Sequence, residues 1–213
     1  MSDVTVARDF ASPMVRADPP PQGDDAPDER PGPATFEELY IEVAPALYAW
    51  AELRIRPEMR RNVDPQDVVQ EVWLRAVKKH ASFDPAVMHF RAWILAIAKN
   101  VLLESFRKLR RTPLLEADLG RASRAFTLDG CPESITSFTQ RLSKDDAVRR
   151  FLELAGSLEE EDRQILVRCG LEQRTCADAA RELELGEDAV IKRWQRLRAR
   201  LRGEAWTRAI LAP

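Results

Sequence analysis

Cysteine and histidine are scarce in this sequence. Its 213 residues hold three cysteines, Cys131, Cys169 and Cys176, and two histidines, His80 and His89. An odd cysteine count without a CxxC pair argues against a disulfide framework and against a zinc site, so the thiols are read as reduced and structural and no metal ligand is assigned. Long apolar runs are lacking as well. The N-terminal segment has no apolar core of signal-peptide length, and no stretch approaches the roughly 20 apolar residues of a membrane span. The expectation is a cytoplasmic protein with no membrane insertion. Catalytic signatures are also missing. There is no glycine-rich phosphate loop, no HExxH and no GxSxG, and the plentiful carboxylates stand at helical spacing from arginines, as surface pairs do. No catalytic residue and no cofactor is assigned, and the chain is not expected to be an enzyme. The alternation of a half-buried strand is absent too, which leaves an all-α protein.

What the sequence has in quantity is charge, 33 Lys and Arg against 35 Asp and Glu, for a net of −2. The charge is unevenly spread. Residues 1–34 carry seven acids against three bases, a net of −4, so the remainder is +2. The same segment holds seven of the 14 prolines and few large apolar residues. It cannot bury enough surface to offset the entropy of ordering, and is read as a disordered acidic arm.

Beyond the arm, helix patterns dominate. TFEELYIEVAPALYAWAELRI opens with Thr35 as N-cap and Glu38 three residues on, a capping box, and contains Pro45, which is expected to kink or split the helix. DPQDVVQEVWLRAV follows, with Asp64 as N-cap and Pro65 at the first helical position. At about 100° per residue, Val68, Val69, Val72, Trp73, Ala76 and Val77 form one arc, while Asp67, Gln70, Glu71, Leu74 and Lys78 share the other side. A leucine in the middle of an acidic face is either a stray apolar residue or part of a docking surface. HFRAWILAIAKNVLLESFRKLRR, residues 89–111, is apolar nearly all round and should be central and buried. Residues 112–142 lose the periodicity and are read as a flexible linker.

Helical pattern then resumes over Asp145–Leu154, over Glu159–Cys169 after a capping box Ser157-x-x-Glu160, over Cys176–Leu183 with Thr175 as cap, and from Glu187 to about Arg202. The last two, joined by a three-residue turn ending in Gly186, have the layout of a helix-turn-helix. The second carries Lys192, Arg193, Arg196, Arg198, Arg200 and Arg202 against only Glu187 and Asp188. Such a row suits duplex phosphates, while residues near the helix start reach base edges. A second basic cluster, Lys78, Lys79, His80, His89 and Arg91 around Phe83, suits single-stranded DNA, where bases stack on aromatics or leave the duplex; Phe83 is equally readable as a plug closing its loop.

Taken together, DPQDVVQEVWLRA, FRAWILAIAKNVLLESFRKLRR and LEEEDRQILVRCGLEQRTCADAARELELGEDAVIKRWQRLRARLR, in this order, resemble a bacterial alternative sigma factor of the extracytoplasmic-function group. The resemblance covers residues of about 36 to 203. It implies two small helical domains joined by a flexible linker: region 2 over 35–111, a linker over 112–142, region 4 over 143–204, and a tail over 205–213. It implies a non-catalytic specificity subunit that binds core RNA polymerase and directs promoter-specific initiation and melting. The helix starting at Pro65 would dock on the coiled coil of the polymerase β′ clamp through Asp67, Gln70, Glu71 and Leu74. Recognition of the −10 element would fall on Lys79, His80, Ser82, Phe83, His89, Arg91, Lys99, Asn100, Arg107 and Lys108. Recognition of the −35 element would fall on Thr175, Glu187, Asp188, Ala189, Ile191, Lys192, Arg193, Arg196 and Arg198, with region 4 also meeting the β flap. The resemblance further admits an anti-sigma factor as partner. Asp188, Ile191, Cys176 and Gly170 depart from residues usual at these positions, and the acidic arm lies outside the family pattern. Two readings compete with it. One is a DNA-binding regulator whose N-terminal helices dimerise or bind a ligand. The other is a sigma-like protein that holds polymerase or an anti-sigma partner but reads no promoter.

Overall fold

In the computed structural model the described residues are 34–55, 57–111, 131–204 and 206–211. The acidic arm as far as residue 33 and the linker over 112–130 lie outside them. Every regular element among the described residues is helical, with no strand among them.

Helix α1 (Phe36–Arg54) begins at the predicted capping box: the Glu38 amide donates to the Thr35 hydroxyl at 3.3 Å, and the Thr35 amide to the Glu38 carboxylate at 2.8 Å. Pro45 does not split it. One main-chain hydrogen bond is lost there, but Ala44 and the run Ala46–Ala51 are buried on either side, and packing holds the helix continuous. Helix α2 (Pro65–Lys79) is capped by Asp64, whose carboxylate accepts from the Gln66 amide at 2.7 Å. Its predicted apolar arc is buried, apart from Val77 at its end. Helix α3 (Phe90–Arg111) is central as predicted, with Ile94, Leu95, Ile97, Ala98, Val101 and Leu102 buried. The Tyr40 hydroxyl donates to the Val69 carbonyl at 2.6 Å, tying α1 to α2 inside the core.

The stretch read as linker is helical at its end. Helix α4 (Glu133–Leu142) buries Ile135, Thr139 and Leu142 and packs on α2. Its apolar stripe is only one residue wide and diluted by Ser and Thr, so it lacks the periodic signal that exposes longer helices. Helix α5 (Asp146–Gly156) starts where expected, with Asp145 accepting from the Ala147 and Val148 amides. The capping box at Ser157 does not form. Ser157 terminates α5, and its hydroxyl turns back to the Leu154 carbonyl at 2.7 Å, so α6 (Glu160–Ile165) begins without a side-chain cap. The chain continues from α6 into a π-helical turn over Leu166–Leu171.

Helix α7 (Cys176–Leu183) is capped by Thr175, which accepts from the Asp178 amide at 3.0 Å. It ends with Glu184 in the left-handed region (φ 56°), where the Leu185 amide reaches back to the Ala180 carbonyl at 3.0 Å. Helix α8 (Glu187–Leu201) follows after Gly186. The expected tail contains one more helix, α9 (Trp206–Leu211), with Ile210 fully buried and Trp206 packed edge-on against Phe151 at 6.2 Å.

One apolar core runs through residues 40 to 210. Helix α1 carries both halves of it. One side meets α2 and α3, and the other meets α5, α9 and the π-turn. The segments expected as two modules therefore pack on each other within the 34–213 unit. Gly170 explains one of the sequence departures. A Cβ placed there would come within 3.2 Å of Leu211 and Trp194 side-chain atoms and 3.3 Å of Leu166. Glycine lets α8 and α9 close onto the π-turn where a bulky residue would hold them off.

Candidate nucleic-acid and partner interface

The α2 face comes first. Leu74 is half-buried and packs against the core. Glu71 accepts from Arg75 Nε at 2.7 Å, and Arg75 also pairs with Glu104 at 2.8 Å, so a guanidinium on α2 bridges two carboxylates. The Arg75 guanidinium holds the Glu104 carboxyl below its usual range. Gln70 differs from expectation. Helix α4 covers it, leaving it 5% exposed, and its Nε2 donates to the Thr139 hydroxyl at 3.0 Å. The wheel placed Gln70 correctly on the polar side of α2; it could not show that another helix lies there.

The loop between α2 and α3 is built on aromatics. Phe36, Phe83, Phe90 and Trp93 form a chain of ring contacts, with Phe83–Phe90 at 5.4 Å and Phe83–Trp93 at 5.1 Å. Phe83 thus closes the loop over the core, the plug reading. The His80 ring packs on Phe36 at 5.0 Å, and the Ser82 hydroxyl donates to the Lys79 carbonyl at 2.7 Å. The Asp84 carboxylate accepts from the Ala86 amide at 2.8 Å and shapes the turn that follows. Val87 and Met88, at the end of that turn, are 75% and 40% exposed. An isolated apolar pair in a loop has no periodicity to mark it in the sequence. Lys78, Lys79 and His89 are exposed around the loop, as are Asn100, Arg107 and Lys108 along α3.

Two of the cations expected at the −10 element are engaged within the protein. Arg91 is 6% exposed, and its guanidinium donates to the Ile210 carbonyl at 2.7 Å and to the Leu171 carbonyl at 3.2 Å. Desolvation lowers its pKa to about 10, so it stays charged at neutral pH. Lys99 pairs with Glu172 Oε2 at 2.9 Å. Glu172 was not singled out from the sequence, since it lies in a short aperiodic connection. Its side chain is 1% exposed, and it also accepts from the Trp50 indole at 2.8 Å and pairs with Arg54.

Burial alone would raise the Glu172 pKa. The Trp50 indole, Arg54 and Lys99 together hold it below the ordinary 4.5. A carboxyl whose folded pKa is depressed adds stability that is complete above its unfolded value and is lost as the pH falls through the folded one. The Glu172 contribution to the urea midpoint should therefore be constant from neutral pH down to the ordinary glutamate range and disappear below it. Surface carboxylates titrate there too, so the measurement is the difference between the wild-type and Glu172→Gln pH profiles, which should narrow on acidification.

Helix α8 exposes Lys192, Arg196, Arg198 and Arg200, with Arg202 exposed just past its end, while Val190, Leu197 and Leu201 are buried beneath them. Glu187, Asp188 and Ala189 are exposed at its start and Thr175 at the start of α7, with Ile191 half-buried. Arg193 is engaged inside the protein, bound to Glu161 at 2.6 Å and Asp162 at 2.8 Å, so it fastens α8 to α6. The exposed basic row is thus one residue shorter than the sequence suggested. Cys131, Cys169 and Cys176 are free thiols; burial and the neighbouring Cys176 push Cys169 up to about 12.

No helix among the described residues is long and apolar enough to cross a membrane. No curated protein and no solved structure matches the chain. The family described as sigma-70 region 2 matches residues 39–112, a span that begins within α1 and takes in α2, the aromatic loop and α3. That segment is similar to sigma-70 region 2.

Proposed function

We propose that the chain is an alternative sigma factor of the extracytoplasmic-function group, a dissociable specificity subunit of RNA polymerase without catalytic activity. The observation that carries this reading is the order of parts along one chain. A segment matching region 2 is followed by a short helix, a three-residue turn and a helix with an exposed basic row. In this reading Asp67, Glu71 and Leu74 on α2 meet the coiled coil of the β′ clamp, where an Arg-rich partner pairs with the carboxylates and covers the leucine. Lys79, His89, Asn100, Arg107 and Lys108 approach the −10 strand around the aromatic loop. A flipped base stacks against that loop, which lowers the cost of opening the duplex. The −35 duplex lies along α8, with Lys192, Arg196 and Arg198 on phosphates and Glu187 and Asp188 near base edges. The β flap is the further partner of this second module, and an anti-sigma protein would compete for the same surfaces.

The test is co-elution of the full chain with sigma-free core RNA polymerase, followed by promoter selection with the reconstituted enzyme. A stoichiometric complex that initiates at a defined sequence is the expected result. A tight homodimer that binds palindromic DNA and ignores polymerase would instead establish a free-standing regulator. At the second module, Arg196→Ala should weaken binding to the selected −35 duplex across sequences and lower the salt slope by about one. An unchanged slope would remove Arg196 from the interface.

A further inference from the structure

The π-turn, helix α8 and helix α9 border an open cavity of about 520 Å³. Its lining is of two kinds. Trp194, Leu201 and Leu211 give it an apolar wall. Gly170 keeps that wall open, since a Cβ there would come within 3.2 Å of both Trp194 and Leu211. Arg198, Arg202 and Arg208 give it three guanidiniums, and no aspartate or glutamate lines it.

The three arginines are exposed, and none of them has a carboxylate partner among the described residues. Their neighbours differ. Arg168 and Arg174 share Glu182, and Arg193 holds Glu161 and Asp162. A single exposed arginine is ordinarily solvated and needs no ligand. Three of them around one concave site, beside an apolar wall and without a counter-ion, have the composition of a binding site for an anion. Nor do they continue the basic row of α8. At about 100° per residue, Lys192, Arg196 and Arg200 lie within about 80° of one another, while Arg198 and Arg202 lie about 120–160° round the helix, on the Trp194 side.

A guanidinium fork matches phosphate oxygens in pairs, and an aromatic ring removes apolar surface such as that of Trp194 and Leu211 from water. The volume suits one small ligand. We propose that the cavity between α8, α9 and the π-turn binds a nucleoside diphosphate, with its phosphates on Arg198, Arg202 and Arg208 and its base against Trp194, Leu201 and Leu211. Gln173 and Thr207, also on the lining, supply neutral hydrogen-bonding groups for the sugar hydroxyls. The site lies within residues 169–211 and requires neither polymerase nor promoter.

The experiment is calorimetric titration of the full chain with ADP, with pyrophosphate and with adenosine, at about 0.15 M salt, where diffuse attraction between surface charges is screened. Arg202→Ala and Arg208→Ala remove one guanidinium each. Both side chains are exposed, so neither change disturbs the core. Arg198 is also a proposed −35 contact and stays intact. Arg200→Ala removes the same charge from the other edge of α8. The expected result is saturable one-to-one binding of ADP and weaker binding of pyrophosphate and of adenosine. Affinity for ADP should fall about tenfold in each of the two cavity variants and stay unchanged in Arg200→Ala. Absence of saturable ADP binding would overturn the proposal. So would an equal loss in Arg200→Ala, the mark of unspecific charge attraction. Pyrophosphate binding as tightly as ADP would leave the apolar wall unused and overturn the nucleoside assignment. If Arg202→Ala and Arg208→Ala leave ADP binding unchanged and weaken duplex binding instead, the arginines belong to the DNA surface and the nucleotide site is refuted.

Discussion

Replacing Trp50 with alanine should destabilise the protein by about 4 kcal/mol, the largest loss expected from any single truncation on α1. Trp50 is 1% exposed. It lies on α1, the helix that both halves of the core share, and its removal opens a large cavity that neighbouring helices cannot fully collapse into. The indole is also one of the donors to Glu172, at 2.8 Å. Without it a buried carboxylate keeps only Arg54 and Lys99, and leaving a buried charge short of a donor adds a further penalty. Trp50→Phe separates the two causes. It retains most of the volume and removes only the donor, so it should cost about 1–3 kcal/mol. Urea denaturation of the two variants beside the wild type reads both numbers. A loss below about 1 kcal/mol for Trp50→Ala would mean that the second half does not pack on α1 in solution, because a surface-like tryptophan is the only way to make that truncation cheap.

The second large effect is on function. Glu71→Lys should weaken binding to core polymerase by about a hundredfold, or about 2.7 kcal/mol, since it replaces a carboxylate in the proposed contact with a charge that repels an arginine-rich partner. Its effect on folding should be small. Glu71 pairs with Arg75 at i,i+4, a contact worth about 0.3–0.5 kcal/mol, and Arg75 keeps Glu104. Unchanged circular dichroism with weakened co-elution is the expected outcome. Unchanged affinity would move the docking face away from this side of α2. Leu74 then returns to the plainer account in which a half-buried leucine merely extends the core.

These two substitutions differ in how far each was readable beforehand. Glu71 was placed by helical periodicity alone. So were the burial of Val68, Val72 and Ala76 and the central position of α3, while residue type placed the caps at Thr35 and Asp64. In each case the cause is local. A carboxylate or hydroxyl beside free amides caps a helix, and a repeat near 3.6 residues selects one face, wherever the segment ends up. The basic row on α8 was legible for the same reason, apart from Arg193. That residue shares its helical face with the others, but Glu161 and Asp162 come within reach only when α6 and α8 cross.

What the amino-acid order determined by itself was therefore the helices, their apolar faces and the chemistry of their exposed sides, because these depend on neighbours within a few residues. What only the tertiary structure decided was which of those sides remain free. Gln70 is polar and lies on the open side of its own helix, yet Thr139, 69 residues away, closes over it. Arg91 and Lys99 have the composition of a nucleic-acid contact, yet Leu171, Glu172 and Ile210 occupy them. Glu172 carries no signal in its surroundings and becomes the centre of a charge cluster because three donors on α1 and α3 converge on it. Contacts across such separations depend on how whole helices pack, and packing is set by the sum of many buried surfaces rather than by any short pattern.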